Sequence, residues 1–353
     1  MAQSGPEITL VMATYNRAEI IPETLAHLAG QTLSPDRFEV IVCDDGSTDN
    51  TEEIVRSMTG KMPFRTTYLK HPNRGPGYTQ NRGISAASAP IVCLIADDIL
   101  LAPQALETYL NAHSLYREQN VAILGKVVQS PELKKKSVFL SKWNPFKYGT
   151  LENKVELPYY LFWACNISFK KEFMVRHGMF RTEIGPGGAA NHEDVELGYR
   201  LFLNRLKIYY NMEALGYHFH LTTLDEACRR AYQRGLNWHG FRALIDDPLI
   251  SVRYHVLNKS TLKDHLRAFT GKNRERLDTK PVSLLASHAA RLILFNAITI
   301  PCFWLPVMNL AEKHPFVAKF MHTQFYRGVI YYHFLTGVSK EGHSASIKSG
   351  RRN

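Results

Sequence analysis

Three pairs of adjacent acidic residues are the groups in this chain with the clearest capacity for chemistry. They are Asp44-Asp45, Asp97-Asp98 and Glu193-Asp194. The first two pairs directly follow short apolar runs that have the length and composition of buried strands. Adjacent carboxylates can bind a divalent cation or accept a proton. They can also cap a turn or favour a helix N-terminus, and the residues alone leave both interpretations open.

The binding of a nucleotide diphosphate is the chemistry that these pairs would suit. Asp45 could accept a hydrogen bond from the imide N–H of a base. Asp98 could bind Mn²⁺ or Mg²⁺, which favour oxygen ligands and offset the charge of a diphosphate leaving group. The third pair, Glu193-Asp194, could then deprotonate an acceptor hydroxyl.

The segments that must position these residues alternate between strands and helices over the first hundred residues. Apolar runs predict strands at 8–13, 40–43 and 91–96, with a weaker one at 66–69. The segments between them have helical character. This alternation predicts an α/β fold in which helices cover a parallel sheet.

Polar residues end three of these predicted strands. They are Thr14-Tyr15-Asn16, Asp44-Asp45 and Asp97-Asp98. The carboxyl ends of parallel strands meet at one edge of a sheet, where open α/β sheets bind their ligands. If the three strands are neighbours, we expect these side chains to converge on one crevice.

Local patterns make further predictions along the chain. Asp49 and Glu52 have the spacing of a capping box at the start of a helix. The other expectations are strands near 121–128 and 163–169, a helix that opens at Glu193, and a solvated loop at 134–136.

The cysteines and the N-terminus predict a reduced, cytoplasmic location. The odd set of cysteines contains no CxxC pair, which argues against a disulfide framework or a zinc site. The segment MAQSGPEITLVMATYN lacks the basic start and apolar core of a signal peptide.

The last third of the chain is helical in pattern and strongly basic. Residues 226–353 carry 20 Lys and Arg against 8 Asp and Glu, whereas residues 1–225 carry 23 against 24. We therefore expect a domain boundary near residue 225. A basic block of this kind favours an anionic partner, such as lipid headgroups, nucleic acid or a phosphorylated acceptor.

An uncharged segment of 19 residues, 292–310, lies within this basic region. A transmembrane helix needs about 20 apolar residues, so the segment is just long enough to cross a bilayer. Pro301 and Pro306 interrupt it. A buried helical hairpin, an element at the membrane interface and a true span all remain open.

Four motifs together resemble glycosyltransferase family 2 of the GT-A fold. In order they are TYNRAE, CDDGSTDNT, NRGPGYTQNRGISAASAPIVCLIADDI and GPGGAANHEDVELGYRL, and they cover roughly residues 6–220. The resemblance implies a mixed, mostly parallel, Rossmann-like sheet with a donor half at about 1–100 and an acceptor half at about 101–225. It also implies an inverting, metal-assisted transfer from a nucleotide sugar, a UDP-sugar first of all, to a hydroxyl of a glycan or lipid-linked acceptor.

The resemblance also implies roles for individual residues. Asp194 would be the general base, with Glu193 beside it, and Asp98 would bind the metal, with His218 as a further ligand. Trp163 and Asn166 would face the acceptor. The residues implied in donor binding are Thr14, Tyr15, Asn16, Asp44, Asp45, Asn73, Gly75, Arg82 and Asp97.

Two departures from the family pattern affect the metal and the diphosphate. The sequence Ile95-Ala96-Asp97-Asp98 lacks the first acid of the usual Asp-x-Asp motif, and Gln80 stands where many relatives have arginine. Fewer carboxylates predict a weaker dependence on metal. The diphosphate charge could instead be met by Arg82, by His218 or by the basic segment 229–234.

Two other functions remain as alternatives. A nucleotidyltransferase shares carboxylates at strand ends, but no Gly-rich, lysine-bearing phosphate loop lies near the N-terminus. A nucleic-acid-binding protein could use the basic C-terminal region, although no recognisable nucleic-acid module accompanies that charge. We therefore expect nucleic acid not to be a partner, and we expect the enzyme to be peripheral on the inner face of a membrane.

Overall fold

The computed structural model describes residues 5–146, 148, 151, 156–182, 192–257, 261–268 and 289–349. The chain divides into two compact units. The first comprises residues 1–133 and 144–221, and the second comprises residues 134–143 and 222–353. The expected boundary near residue 225 stays a prediction.

The first unit is built on one mixed sheet, which contains nine strands among the described residues. Its order is β3-β2-β1-β4-β8-β6-β9-β5, and β7 pairs with β9. The first four strands in this order are parallel, whereas β8 runs antiparallel to β4 and β6. The strands are β1 (Ile8–Thr14), β2 (Phe38–Asp44), β3 (Arg65–Lys70), β4 (Ile91–Ala96), β5 (Ile99–Leu101), β6 (Val121–Gln129), β7 (Glu156–Leu157), β8 (Asn166–Lys170) and β9 (Lys207–His218).

Helices flank this sheet, as the sequence predicts. Their apolar faces and the buried strands β1, β2 and β4 form one core, because a strand covered on both faces must be apolar along its whole length. The helices up to residue 203 are α1 (Ile21–Ala29), α2 (Thr51–Thr59), α3 (Pro76–Ala86), α4 (Ala105–Leu115), α5 (Pro131–Lys136), α6 (Val138–Lys142), α7 (Lys171–Arg176) and α8 (Glu193–Leu203).

The reversal of chain direction at β8 brings distant residues to the end of β4. Ile95 pairs with Asn166 at the start of β8, and the N–H of Ala96 donates to the carbonyl of Cys165 at 3.1 Å. Ile99 in β5 pairs with His218 at the end of β9. Residues 163–166 and His218 therefore enter the region of the acidic pair that follows β4.

Two local predictions differ from the structure. Asp49 does accept a hydrogen bond from the N–H of Thr51 at the start of α2, but Glu52 does not complete a capping box. Its carboxylate instead binds Arg56 and Lys70. The predicted loop at 134–136 is the last part of helix α5, because Lys has good helix propensity and can remain exposed on a short helix.

The second unit is helical, as predicted. Trp238, Phe241, Tyr254 and Phe334 pack their rings against one another in its interior. Its remaining helices are α9 (Leu224–Leu236), α10 (Trp238–Ala243), α11 (Leu249–Arg253), α12 (Leu262–Ala268), α13 (Leu305–Lys313), α14 (Pro315–Phe320) and α15 (Thr323–Ser349).

The uncharged segment 292–310 consists of two helical stretches joined by a turn. Residues 289–294 are helical, 295–298 turn, and the π-helix Ile300–Trp304 continues into α13. Many of its apolar side chains are exposed. The first of the three possibilities, a buried helical hairpin, is therefore wrong. Within the described part of the chain, no helix combines the length and the apolar content that crossing a membrane requires.

Gly46 offers a test of the turn that follows β2. Its φ is +82°, and a Cβ there would lie 2.8 Å from the backbone nitrogen of Asn73. Gly46→Ala should therefore lower the free energy of unfolding by at least about 1–2 kcal/mol in chemical denaturation. Gly60→Ala is the matched control, because Gly60 has a φ of −73° and no neighbour near its Cβ position. Equal stability of the two variants would contradict the assigned turn.

Candidate active site

Two loops at the carboxyl edge of the sheet are hydrogen-bonded to each other. Asn16 adopts a left-handed conformation with φ of 52°, and its N–H donates to Ser47 Oγ at 2.9 Å. Its side-chain oxygen accepts from the N–H of Thr48 at 2.8 Å, while the N–H of Arg17 donates to Thr51 Oγ1. The loop after β1 and the loop after β2 therefore hold one another in place.

Asp44 holds the turn that follows β2. It has no exposed surface. One carboxylate oxygen accepts from the N–H of Ser47 at 2.7 Å, and the other accepts from the hydroxyl of Tyr68. Burial first, and the hydrogen bond to Asp44 second, raise the pKa of Tyr68. The structure thus places this predicted donor-binding residue inside the turn, with both oxygens already bonded.

Asp45 fixes the loop that leads into α3. Its carboxylate accepts from the N–H of Arg74 at 2.7 Å and from the N–H of Gly75 at 3.0 Å. His71 lies 3.6 Å away. Gly75 has a φ of +89°, so glycine suits this position at the start of the helix. Asp45 and Gly75, both predicted to bind donor, are therefore in direct contact.

The remaining donor-side candidates differ in exposure. Thr14 is buried at the end of β1, whereas Tyr15 beside it is 46% exposed. Asn73 is exposed in the loop before α3. Arg82 lies on α3 and lines an open cleft of about 720 Å³ together with Arg74 and Tyr78.

Asp97 and Asp98 are both almost fully buried, at 7% exposure each. Hydrogen bonds from two different segments hold their backbone carbonyls. The Asp97 carbonyl accepts from the hydroxyl of Thr24 in α1 at 2.5 Å, and the Asp98 carbonyl accepts from the N–H of Phe219 at 2.7 Å. Charged groups this deeply buried require nearby compensation.

Arg17 and His218 provide that compensation. Arg17 Nε lies 3.4 Å from an Asp97 carboxylate oxygen, and another nitrogen of its guanidinium lies 3.8 Å from Asp98 Oδ2. His218 Nε2 lies 3.7 Å from the same Asp98 oxygen. Sequence analysis did not single out Arg17, because one arginine in a loop carries no pattern that marks its partners.

Gln129, also missed by sequence analysis, orients the His218 ring. Its amide nitrogen donates to the His218 carbonyl at 3.2 Å, so its amide oxygen faces the ring and lies 3.0 Å from Nδ1. Nδ1 therefore carries a proton, and Nε2 faces Asp98. A buried glutamine at the end of a strand has no motif that reveals this role.

Asp98 and His218 are placed so that both could bind one divalent cation. Ligands at about 2.1 Å from one ion lie about 3–4 Å apart, and the 3.7 Å between Asp98 Oδ2 and His218 Nε2 falls in that range. Within the described residues, no group of three or more His, Cys, Asp or Glu side chains is arranged to hold a metal. Further ligands would have to come from water or from bound phosphates, as is usual for Mg²⁺.

Glu193 and Asp194 open α8, as predicted. Glu193 is buried, whereas Asp194 is partly exposed, which leaves Asp194 the better placed of the two to meet a substrate. The pKa of the Cys165 thiol is raised first by burial and then by the charges of Asp194 and Asp98.

A buried ion pair anchors α8. Glu196 has no exposed surface and accepts from Arg200 Nε at 2.7 Å, and Arg181 lies 3.4 Å away. Arg200 also donates to the carbonyl of Met179 at 2.7 Å. This network ties the first turns of α8 to the segment before residue 182.

The two predicted acceptor residues have different environments. Asn166 is fully buried, and its amide bonds to the Tyr109 hydroxyl and to the carbonyl of Ala214. The structure therefore places Asn166 in the core rather than on the acceptor side. Trp163 is partly exposed and packs near Phe146, whose ring centroid lies 5.6 Å from that of His218.

Comparison with known proteins identifies related sequences and folds. Residues 9–176 match the family model described as glycosyl transferase family 2. Validoxylamine A glucosyltransferase from Streptomyces hygroscopicus subsp. limoneus is 29% identical over 237 residues, which is 60% of this chain and 51% of that protein. The chain thus spans about half the length of these curated relatives.

Solved structures of two proteins share the fold. The mannosyltransferase PcManGT from Pyrobaculum calidifontis, in complex with GDP-Man and Mn²⁺, matches with a TM-score of 0.54 at 18% identity, over 96% of this chain and 87% of that one. TarS 1–349 from S. aureus matches with a TM-score of 0.52 at 17% identity, over 96% and 92% of the two chains. Its complex with UDP matches with a TM-score of 0.50 at 14% identity, with the same coverage. These similarities establish a GT-A fold.

Asp97 should make stability depend on pH when metal is absent. Burial first, and the Asp98 charge second, raise the pKa of Asp97 from 3.8 to about 7. Between these values the folded protein keeps a proton that the unfolded chain releases, so stability should fall as pH rises through this window. Thermal unfolding in chelator from pH 5 to 8 should show a falling melting temperature, and Asp97→Asn should flatten that fall. The exposed Glu213→Gln is the control, and identical pH profiles for Asp97→Asn and wild type would contradict the assignment.

Proposed function

We propose that the chain is an inverting glycosyltransferase, because residues 9–176 match the model of glycosyl transferase family 2 and the fold is that of GT-A proteins. It transfers a sugar from a nucleoside-diphosphate sugar to a hydroxyl of a glycan or lipid-linked saccharide. The observation that carries this proposal is the buried pair Asp97-Asp98 with His218 Nε2 aimed at it. The loop fixed by Asp45 lies at the same edge of the sheet.

The donor is proposed to be a UDP-sugar. The TarS fold neighbour is known in complex with UDP, and PcManGT in complex with GDP-Man and Mn²⁺. Tyr15 is exposed at the end of β1, where its ring can stack on a base. Asp45 would accept from the base N–H, although its carboxylate also holds the loop before α3.

Asp98 and His218 would hold Mn²⁺ or Mg²⁺, which supplies charge stabilisation of the diphosphate leaving group. Gln129 keeps His218 in the required tautomer. Asp194 would take the proton from the acceptor hydroxyl, because it is the partly exposed member of its pair. Direct attack by that hydroxyl on the face opposite the diphosphate gives inversion.

The acceptor is proposed to bind near Trp163. This ring is partly exposed and lies beside Phe146, which contacts His218. Aromatic faces suit the apolar faces of sugar rings, so the arrangement supports a glycan acceptor. Neither alternative function gains support, because the related proteins named above are glycosyltransferases and no observation points to nucleic acid.

A membrane surface is the proposed location of the second unit. Between Arg291 and Glu312 the segment carries no charge, and Ile293, Ile298 and Phe303 are 72%, 73% and 53% exposed. Large exposed apolar patches mark interaction surfaces. The basic excess of residues 226–353 favours an anionic bilayer. All five cysteines are free thiols, which supports a cytoplasmic, inner-face location.

Nucleotide binding gives the first test of the proposed function. UDP with Mn²⁺ should raise the melting temperature of the wild type, because a ligand at 100 times its dissociation constant adds about 2.7 kcal/mol. Asp98→Asn should abolish the metal-dependent part of that shift. GDP, dTDP and CMP are the comparison ligands. The absence of a shift with every nucleotide would contradict the donor site.

Asp194→Asn separates binding from catalysis in the same experiment. It should keep the shift with UDP and Mn²⁺ but lose about 10²–10⁴-fold in turnover of a UDP-sugar. The exposed Glu213→Gln should retain both. Full turnover by Asp194→Asn would remove this residue as the base.

Flotation with vesicles tests the proposed membrane surface. Ile293→Ser, Ile298→Ser and Phe303→Ser combined should reduce binding to phosphatidylglycerol vesicles more than tenfold, since burying each such side chain contributes about 1.5–3 kcal/mol. The control combines Leu115→Ser and Leu203→Ser, which are 75% and 63% exposed in the first unit. Equal flotation of both variants and the wild type would overturn the surface.

A further inference from the structure

Arg17 lies where the proposed metal chemistry would place a cation. Its guanidinium is 3.4 Å from an Asp97 oxygen and 3.8 Å from Asp98 Oδ2. The third guanidinium nitrogen, Nη1, lies 3.4 Å from His220 Nδ1. The oxygen of Asp98 that faces Arg17 is the same one that faces His218.

The chain holds Arg17 at this position through its backbone. Its N–H donates to Thr51 Oγ1 at 2.9 Å, and its carbonyl accepts from the N–H groups of Ile20 and Ile21 at 3.0 Å each. The left-handed turn at Asn16 directs the chain into this arrangement. The guanidinium is therefore delivered to the acidic pair by a fixed loop, although its side chain is still 23% exposed.

Charge balance explains why a cation is needed there. Two carboxylates at 7% exposure repel one another and lose the solvation that water would provide. One guanidinium neutralises part of that charge. A divalent ion bound to Asp98 and His218 would meet the positive charge of Arg17 at close range, and the two cations repel each other.

We propose that Arg17 is a built-in counter-cation of Asp97-Asp98, which a divalent metal must displace. This inference rests on the metal site of the proposed function. On displacement the guanidinium moves through its exposed side to the donor diphosphate, a bidentate partner that arginine favours. Metal alone then binds weakly, and metal with a nucleoside diphosphate binds tightly, because the nucleotide gives Arg17 a new anionic partner.

Mn²⁺ titration followed by electron paramagnetic resonance tests this role without any turnover. In the full chain without nucleotide, Arg17→Met should bind Mn²⁺ about tenfold more tightly than the wild type, since a competing positive charge is removed. Arg17→Lys should stay close to the wild type. Arg56→Met is the matched control, because it removes the same charge from α2, where Arg56 pairs with Glu52.

The addition of UDP provides the second measurement. UDP should tighten Mn²⁺ binding at least tenfold in the wild type and distinctly less in Arg17→Met, because only the wild type can transfer its guanidinium to the diphosphate. If Arg17→Met fails to fold, Arg17→Gln replaces it in both titrations, because it removes the same positive charge and keeps a hydrogen-bonding side chain.

The outcomes separate this inference from the proposed function. Equal or weaker Mn²⁺ binding by Arg17→Met, with a wild type that does bind the ion, overturns the counter-cation role and leaves the metal site standing. The absence of Mn²⁺ binding in every variant, with and without UDP, overturns both. Equal UDP coupling in wild type and Arg17→Met overturns the transfer of Arg17 to the diphosphate.

Discussion

Two adjacent carboxylates in the interior of a protein are stable only if the surroundings compensate their charge. Asp97 and Asp98 impose this requirement at the end of β4, where each is 7% exposed. Burial and mutual repulsion raise the pKa of Asp97 to about 7. The positions of Arg17 and His218 follow from this constraint, since both supply positive charge or a nitrogen ligand to the pair.

The loops around β4 are arranged so that these partners stay in place. The loop after β1 binds the loop after β2 through Asn16 and Arg17, and Gln129 holds the His218 ring. In the first two contacts a backbone N–H donates to a hydroxyl oxygen, and in the third the Gln129 amide oxygen faces the His218 ring. The loops of the candidate site are therefore held in place by contacts within the protein itself.

The second unit has a packed interior but exposes apolar side chains on its surface. Its interior is packed with aromatic rings such as Trp238 and Phe334, yet the segment around Ile293 and Ile298 leaves apolar side chains in solvent. Exposed apolar side chains are unfavourable in water, and their burial in a bilayer lowers the free energy. The surrounding basic residues add electrostatic attraction to an anionic bilayer. On the proposed function, a first unit that transfers the sugar and a second unit that binds the bilayer would together bring the active site to lipid-linked acceptors.

The sequence by itself determined the strands at 8–13, 40–43, 66–69 and 91–96, because apolar runs bounded by polar residues leave few other ways to bury them. It also determined that polar residues end three of these strands, at 8–13, 40–43 and 91–96, whereas their adjacency in the sheet came from the structure. Only the tertiary structure decided the partners. Asn166 became a core residue, and His218, 120 positions after Asp98, became its neighbour through the pairing of β5 with β9. Local periodicity reports which face of an element is buried, whereas contacts such as Arg17 with Asp97 depend on how distant elements pair.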